Sequence, residues 1–394
     1  MDVSPLVWSF TIAFILGLLA FDFFFHVRKA HIPTLKEAAI WSSIYVGIAI
    51  LFGLGILLFG GPTPGSEYFA GYITEKALSV DNLFVFLIIM ASFKVPREDQ
   101  QKVLLFGIVF ALIARTGFIF LGAALINSFA WIFYLFGLIL ILTAGNMLKP
   151  ESSEDKSADN LIIRLARKVF HTTDYYDGDK MFTMHNGRRA LTPMLLVMVA
   201  IGGTDILFAL DSIPAIFGLT TDVFIVFTAT AFSLLGLRQL YFLIDGLLDR
   251  LIYLSYGLAT ILAFIGVKLI LHALHENNVF FINDGQPIPV FEIETGLSLT
   301  VIIGVLIVTV IASLVSPRGR AQTAISGAKR HASLYLDLDS TAKDEERTRL
   351  YDLVVDDEKK ISELEPKQRK HYEEDRKIVE LVARVHAEHD TARR

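Results

Sequence analysis

Two short stretches place acids where an apolar run leaves them no water. In "EKALSVDNLFVF" Glu75 stands six residues before Asp81, and in "TDILFALDSIPAIF" Asp205 stands six before Asp211. A carboxylate at the centre of a membrane span costs about 2.5–3.5 kcal/mol on insertion scales, so the four together cost about 10 kcal/mol. Ionisable groups inside a span mark ion or proton paths, or else pair with buried bases. The bases at hand are Arg115 ("LIARTGF"), Arg238 ("LLGLRQLYF") and Lys268, so the acids outnumber them. The surplus negative charge suits a divalent cation. Arg115 and Arg238 either balance unliganded carboxylates or brace helices.

Asn82 and Ser212 each follow an aspartate and add neutral oxygens, for the ion or for interhelical hydrogen bonds. The candidate shell of Glu75, Asp81, Asn82, Asp205, Asp211 and Ser212 is all oxygen. Such hard ligands favour Mn²⁺, Mg²⁺ or Ca²⁺ over Cu⁺ or Zn²⁺, without separating the first three. The chain has no cysteine, which removes disulfides, Fe–S clusters and thiolate ligands. On an unbroken helix, residues six apart point about 120° away from each other and differ by about 9 Å in height. Neither pair could then chelate one small ion alone. Pro214 cannot donate to the carbonyl of Leu210, and Gly202-Gly203 loosens the turn before Asp205, so a distorted helix is expected to free a carbonyl beside Asp211. His272, His275 and Glu276 read as solvated interface residues, with a secondary vestibule as the alternative.

The elements that must position these residues are membrane spans. The chain is 53% hydrophobic with mean hydropathy +0.53, well above a soluble domain, and the apolar residues fall in bilayer-length blocks. These blocks lie near 6–25, 39–59, 68–92, 103–124, 129–148, 192–217, 222–244, 251–271 and 296–315. Lys and Arg are concentrated after every odd-numbered block and absent after every even-numbered one. This predicts an all-α polytopic membrane protein with nine transmembrane helices, N-terminus outside and C-terminus inside. The first block lacks the basic start of a secretory signal and reads as a retained span.

Spans three to five echo spans six to eight: acids at the same spacing, then an arginine, then "YLFGLILILTAGNML" beside "YLSYGLATILAFIGVKL". An odd number of spans per copy predicts two inverted three-helix repeats, a transporter pattern with its site near the midplane. The expected organisation is two N-terminal spans (1–65), repeat one (66–149), a cytoplasmic linker with an amphipathic helix (150–190) and repeat two (191–272). An extracytoplasmic loop (273–294), a last span (295–316) and a charged cytoplasmic tail (317–394) follow. In the linker, Asn186-Gly187 predicts a hairpin, and "DYYDGDK" reads as a turn because it lacks the ligand spacing of a calcium loop. The tail is expected to hold one or two solvated helices, with Leu350, Leu353 and Val354, and Ile378, Leu381, Val382 and Val385, at helical spacing.

The motifs "EKALSVDNLFVFLI", "TDILFALDSIPAIFGLTTDVFIVFT", "LLGLRQLYFLI" and "YGLATILAFIGVKLI" resemble those of the TerC family of integral membrane proteins. They cover most of residues 65–272, and the order of spans extends the likeness to about 316. The family was named for tellurium resistance; members are implicated in manganese efflux and placed near the LysE-like exporters. The resemblance implies that Glu75, Asp81, Asp205 and Asp211 occupy the family's acidic positions. The sequence departs at Gly202, where many members carry Glu, and one acid fewer bears on metal affinity and on the charge balance of transport.

The expected function is therefore export of a divalent cation, Mn²⁺ first, across the plasma membrane by alternating access, with no prosthetic group and no enzymatic activity. Proton exchange is open to it, since buried carboxylates can take up protons as the metal leaves. Direct tellurite export is not expected, because surplus carboxylates repel an oxyanion. The alternatives are a scaffold or metal chaperone for secretion and, more remotely, an intramembrane aspartyl protease. For the last, "GGTD" has its second glycine displaced and no Tyr-Asp pair lies within a span. Beyond the bilayer and the metal ion, secretion machinery or a second copy of the chain are the partners considered, and no nucleic acid.

Overall fold

A computed structural model describes residues 3–27, 34–129 apart from 94, 131–148, 180–244 apart from 186–187, 251–336 apart from 278, 280 and 281, 344–366, 369, 372 and 376–392. The stretch holding "LIIRLARKVF" and most of "DYYDGDK" lies outside the described residues. The predicted hairpin is present: β1 (Phe182–His185) pairs antiparallel with β2 (Arg188–Leu191), with His185 opposite Arg188.

Among the described residues, everything else of length is helical. In the first of two compact units, Ser4 caps α1 (Pro5–Asp22), which runs into a π-helical turn at Phe23–Val27. Thr34 caps α2 (Leu35–Gly60) by accepting from the Glu37 N–H, satisfying a donor that the first turn cannot. Gly61, at φ +99°, ends α2, and Pro62 opens α3 (Pro62–Ser92). Next come α4 (Arg97–Ser128), α5 (Ile132–Met147) and, started by Pro193, α6 (Pro193–Phe217). Asp222 caps α7 (Val223–Leu234), accepting from the N–H groups of Phe224 and Ile225. Then follow α8 (Leu237–Ile244), α9 (Leu254–His275) and α10 (Thr295–Val315), the last of which crosses from the first unit into the second.

Among the described residues, seven helices are long and apolar enough to cross a membrane: Pro5–Phe25, Lys36–Gly60, Asp99–Ile126, Pro193–Phe217, Val223–Leu243, Leu254–His275 and Thr295–Val315. Two of the nine expected spans fall outside that set for identifiable reasons. Helix α5 has 16 residues, short of the roughly 20 that span hydrocarbon. Helix α3 is long enough at 31 residues but carries Glu67, Glu75, Lys76 and Asp81.

Burial sorts the helices into an inner and an outer set. The Val223–Leu243 run is 89% buried, against 22% for the α1, α2 and α10 runs, which expose Phe10, Phe59 and Val308. Apolar side chains turned outward in bulk are what lipid contact requires, so α3, α4, α6 and α7 form the interior that α1 and α2 partly cover. Small residues set the closest approach. An added Cβ on Gly137 of α5 would lie 2.8 Å from the Gly266 carbonyl oxygen of α9, and one on Gly266 would lie 2.9 Å from that of Gly137. This backbone contact holds α5 close enough to the core to contribute side chains there.

The helix distortion expected at Pro214 is not found. Helix α6 runs unbroken from Pro193 through Asp205 and Asp211 to Phe217, with Pro214 inside it. Proline removes the hydrogen bond to the Leu210 carbonyl, and the helix continues past it to Phe217. The interruption lies one span later. Leu235 is extended (φ −62°, ψ 136°) and Gly236 takes φ +75°, dividing the apolar run into α7 and α8.

The second unit, 244–254 with 306–394, contains α11 (Pro317–Leu336), α12 (Asp344–Ser362) and α13 (Arg376–Ala392). The solvated helices expected in the tail instead share an apolar core of Ala328, Ala332, Tyr335, Val354, Val382 and Val385, with Leu350 and Leu381 packed against it. Interdigitation of α11, whose small residues gave no strong apolar period, is what lets the other two bury their stripes.

Candidate metal centre

Because α3 and α6 are unbroken, the two acids of each motif face different places. One acid from each helix meets at Arg115 of α4. Its Nη1 donates to Glu75 Oε2 at 2.5 Å and its Nη2 to Asp205 Oδ1 at 3.4 Å. All three side chains are buried, Glu75 completely. One guanidinium thus neutralises one of two carboxylates and leaves a net charge of −1. Of the remaining atoms, Asp205 Oδ2 and Arg115 Nε have no hydrogen-bond partner among the described residues, while the Ser212 hydroxyl stands against the Glu75 carboxylate. Acceptors left bare in an apolar interior are costly and call for a donor or a cation.

The other two acids, Asp81 of α3 and Asp211 of α6, line a cavity of about 580 Å³. Asn82, Ser212, Thr143, Asn146, Leu78 and Phe208 share its wall. Thr143 Oγ1 donates to Asp211 Oδ1 at 2.8 Å. Thr143 and Asn146 come from α5 and were not expected from the sequence. Threonine and asparagine in an apolar helix are common as hydrogen-bonding residues, and only their three-residue spacing on one face hints at a shared role.

Convergence of the four acids on one ion is therefore not what is found. Among the described residues no three His, Asp or Glu side chains stand close enough to hold a metal together. The acids fall into two groups instead, Glu75–Asp205 on Arg115 and Asp81–Asp211 on the cavity, whose wall Ser212 shares. Helical geometry is the cause: six residues on a continuous helix are too far apart in height and angle to share one small ion.

Arg238 is also placed differently from the charge-balancing position expected of it. Its Nη2 and Nε donate to Asp22 Oδ1 and Oδ2 at 2.8 and 3.0 Å, its Nη1 bonds Gln101 Oε1, and Gln239 Nε2 donates to Asp22 Oδ1 at 2.7 Å. This buried knot ties α8 to the end of α1 and to α4. Asp22 is a further buried carboxylate that was not expected from the sequence, since an acid at the end of an apolar block looks like an interface residue. Asp22→Asn keeps the shape but leaves Arg238 buried without its counter-charge, so we expect it to cost about 3 kcal/mol, the low end for a broken buried pair because Gln101 still accepts from Arg238. Thermal unfolding of the purified protein should show the loss, with the affinity for metal unchanged.

Gly202, the position at which the sequence departs from the motif it resembles, sits against a ring. A Cβ there would lie 2.9 Å from Phe110 Cδ1 and 3.0 Å from Cε1. Phe110 occupies the space a side chain would need. Gly202→Ala should be destabilised by about 1–3 kcal/mol through overpacking, and Phe110→Leu in the same chain should recover part of it in a melting experiment.

His272, His275 and Glu276 lie at the C-terminal end of α9, where His272 approaches Glu276 and Glu292 at 3.5 Å each. His272 lines a cavity of about 260 Å³ together with Glu67, Lys268 and Glu292, whereas His275 and Glu276 are exposed and not part of its wall. Lys268, offered as a counter-charge for the acids, donates to Ser298 Oγ at 3.2 Å beside that cavity.

The model of the integral membrane protein TerC family matches residues 60–321 of this chain. The chain belongs to the TerC family. The match takes in both acidic motifs, Arg115, Arg238 and helices α3 to α10, and ends just inside α11. Uncharacterized membrane proteins of Mycobacterium tuberculosis and Mycobacterium bovis are each 57% identical to this TerC-family chain over 394 residues, covering 99% of both chains. A protein of Escherichia coli named "Putative membrane-bound redox modulator Alx" is 36% identical over 317 residues, 78% of this chain and 94% of that one. No solved structure matches.

Proposed function

We propose that this TerC-family protein exports a divalent cation, Mn²⁺ first among the candidates, across the plasma membrane. The observation that carries the reading is the pair of buried carboxylates on a single guanidinium, with Asp205 Oδ2 unpartnered among the described residues, beside a cavity lined by two further aspartates. The local sum of Glu75, Asp205 and Arg115 is −1, and Asp81 and Asp211 bring it to −3 when ionised. A dication entering the cavity meets Asp211, Asp81 and the neutral oxygens of Asn82, Ser212 and Thr143. It then competes with Arg115 for Glu75 and Asp205. Arg115 serves as the counter-ion that holds the site between turnovers, so that the carboxylates are never both bare in hydrocarbon. All-oxygen chemistry favours Mn²⁺, Mg²⁺ and Ca²⁺ over softer metals, and the resemblance to exporters of manganese orders those three.

Nine spans and two inverted repeats fit the same reading. With repeats related by an axis in the membrane plane, Glu75 corresponds to Asp205 and Asp81 to Asp211. The first pair would then lie near the axis and the second on either side of it. Opening alternately to the two faces lets Asp81 and Asp211 serve as entry and exit ligands, with protons as the returning charge. The name of the Escherichia coli relative speaks of redox modulation. This chain has no cysteine to exchange electrons with, and a metal exporter can alter redox balance through the metal it removes.

Expression of the full chain in a manganese-sensitive bacterial host tests this. Cell-associated Mn²⁺ measured by mass spectrometry should fall at least several-fold against a vector control, while a chain carrying Asp211→Asn leaves it unchanged. Cleavage of a transmembrane peptide, or manganese content equal in both strains, would favour the protease or the scaffold instead.

A further inference from the structure

The interruption between α7 and α8 leaves backbone carbonyls inside the membrane interior without helical partners. The Leu235 N–H still reaches Ala231 O at 3.1 Å, and the Leu240 N–H reaches Gly236 O at 3.0 Å. The Ser233 and Leu235 carbonyls are met by a side chain from another helix: Lys76 Nζ donates to Ser233 O at 3.0 Å and to Leu235 O at 3.3 Å. The break is held in place by packing as well, since a Cβ on Gly236 would lie 2.7 Å from Tyr45 Cβ.

A helix C-terminus carries a partial negative charge, and carbonyls freed by a break inside hydrocarbon need a cation or a donor. Discontinuous helices of transporters use such carbonyls to coordinate small cations. Here a tethered ammonium lies in that position. Lys76 adjoins Glu75, whose carboxylate is turned to Arg115, so the ammonium belongs to the carbonyls and not to the acid pair.

We infer that the α7–α8 break is a monovalent-cation site whose occupant is the protein's own Lys76 ammonium, so that shortening this side chain opens the site to free Na⁺ or a small alkylammonium ion. The side chain is a positioning residue: it holds the break that orients α8, and with it Arg238, without touching the transported ion. The inference stands apart from the exporter reading, and its test reads stability and amide exchange, not flux, so the two fail separately.

Thermal unfolding of the full chain in nanodiscs is compared for wild type, Lys76→Ala and Lys76→Met, in NaCl, methylammonium chloride or choline chloride at equal ionic strength. Lys76→Ala should melt about 3–5 °C higher in Na⁺ or methylammonium than in choline, which is too bulky for the site. Wild type, which fills the site with ammonium, and Lys76→Met, which fills it with a neutral stem, should show no such difference. An equal response of wild type, or none from Lys76→Ala, overturns the inference. Should Lys76→Ala fail to fold, amide exchange decides with Lys76→Arg and Lys76→Met. Protection at Leu235 and Leu240 should persist in the arginine variant and fall at least about tenfold in the methionine variant. Equal protection in both would assign Lys76 to packing alone.

Discussion

Arg115→Gln is expected to lower the apparent melting temperature by roughly 6–10 °C, the largest stability loss of any single substitution in the membrane part. Removing one partner of a buried ion pair costs about 3–5 kcal/mol because the other charge is left uncompensated, and here two carboxylates depend on the same guanidinium. Glutamine keeps two amide N–H donors but no charge. The penalty should shrink in the double variant Arg115→Gln with Glu75→Gln, which removes one of the stranded charges along with the base. It should shrink as well in the single variant when Mn²⁺ is added, since the dication takes the place of the guanidinium. Differential scanning fluorimetry with and without the metal checks all three.

Glu75→Gln should have the opposite profile: a folded, stable protein that has lost at least about a hundredfold in metal flux. With Glu75 neutral, Arg115 still has Asp205, and the local charge rises from −1 to zero, which hydrocarbon tolerates well. A dication would then meet one carboxylate fewer. A pair of opposite unit charges about 4 Å apart is worth about 4 kcal/mol at an effective dielectric of 20, doubled charge aside, so affinity falls by two to three orders of magnitude. Circular dichroism and the melting curve of Glu75→Gln report the first half, and Mn²⁺ flux into vesicles the second. A structural role for the acid pair would instead give loss of stability in step with loss of flux.

The contrast between these variants shows how much of the centre was legible in the residues. Glu75, Asp81, Asp205, Asp211 and Arg115 announce themselves because each interrupts an apolar run, and nothing but function or pairing explains a charge there. Their division into two subsites was legible too, in the spacing of six, had Pro214 not suggested a bend. Proline removes one hydrogen bond, whereas α6 is buried over most of its length and holds its course. The real break at Leu235–Gly236 was hidden because a single glycine in an apolar run usually marks close packing, and the Lys76 that meets it lies some 160 residues away in sequence. Arg238 was misplaced by the repeat itself. Positions matched by sequence likeness alone need not keep equivalent partners, and Asp22 lies outside both of the matched stretches. Thr143 and Asn146 carried no signal strong enough to separate them from ordinary helix-packing residues. Spans were legible from hydropathy for the seven helices whose apolar windows are clean. They were ambiguous for α3, which carries the chemistry, and for α5, which is short.

The most direct test of the central claim is metal flux through the purified full chain in proteoliposomes, loaded in turn with Mn²⁺, Ca²⁺, Mg²⁺ and Zn²⁺, with and without a pH gradient, for wild type and Asp211→Asn. The account predicts Mn²⁺ movement by wild type at least about tenfold above empty vesicles, faster with an opposing proton gradient, weaker for Zn²⁺, and lost in a still-folded Asp211→Asn. Equal flux in wild type and Asp211→Asn, or none for any of the four ions, would contradict it.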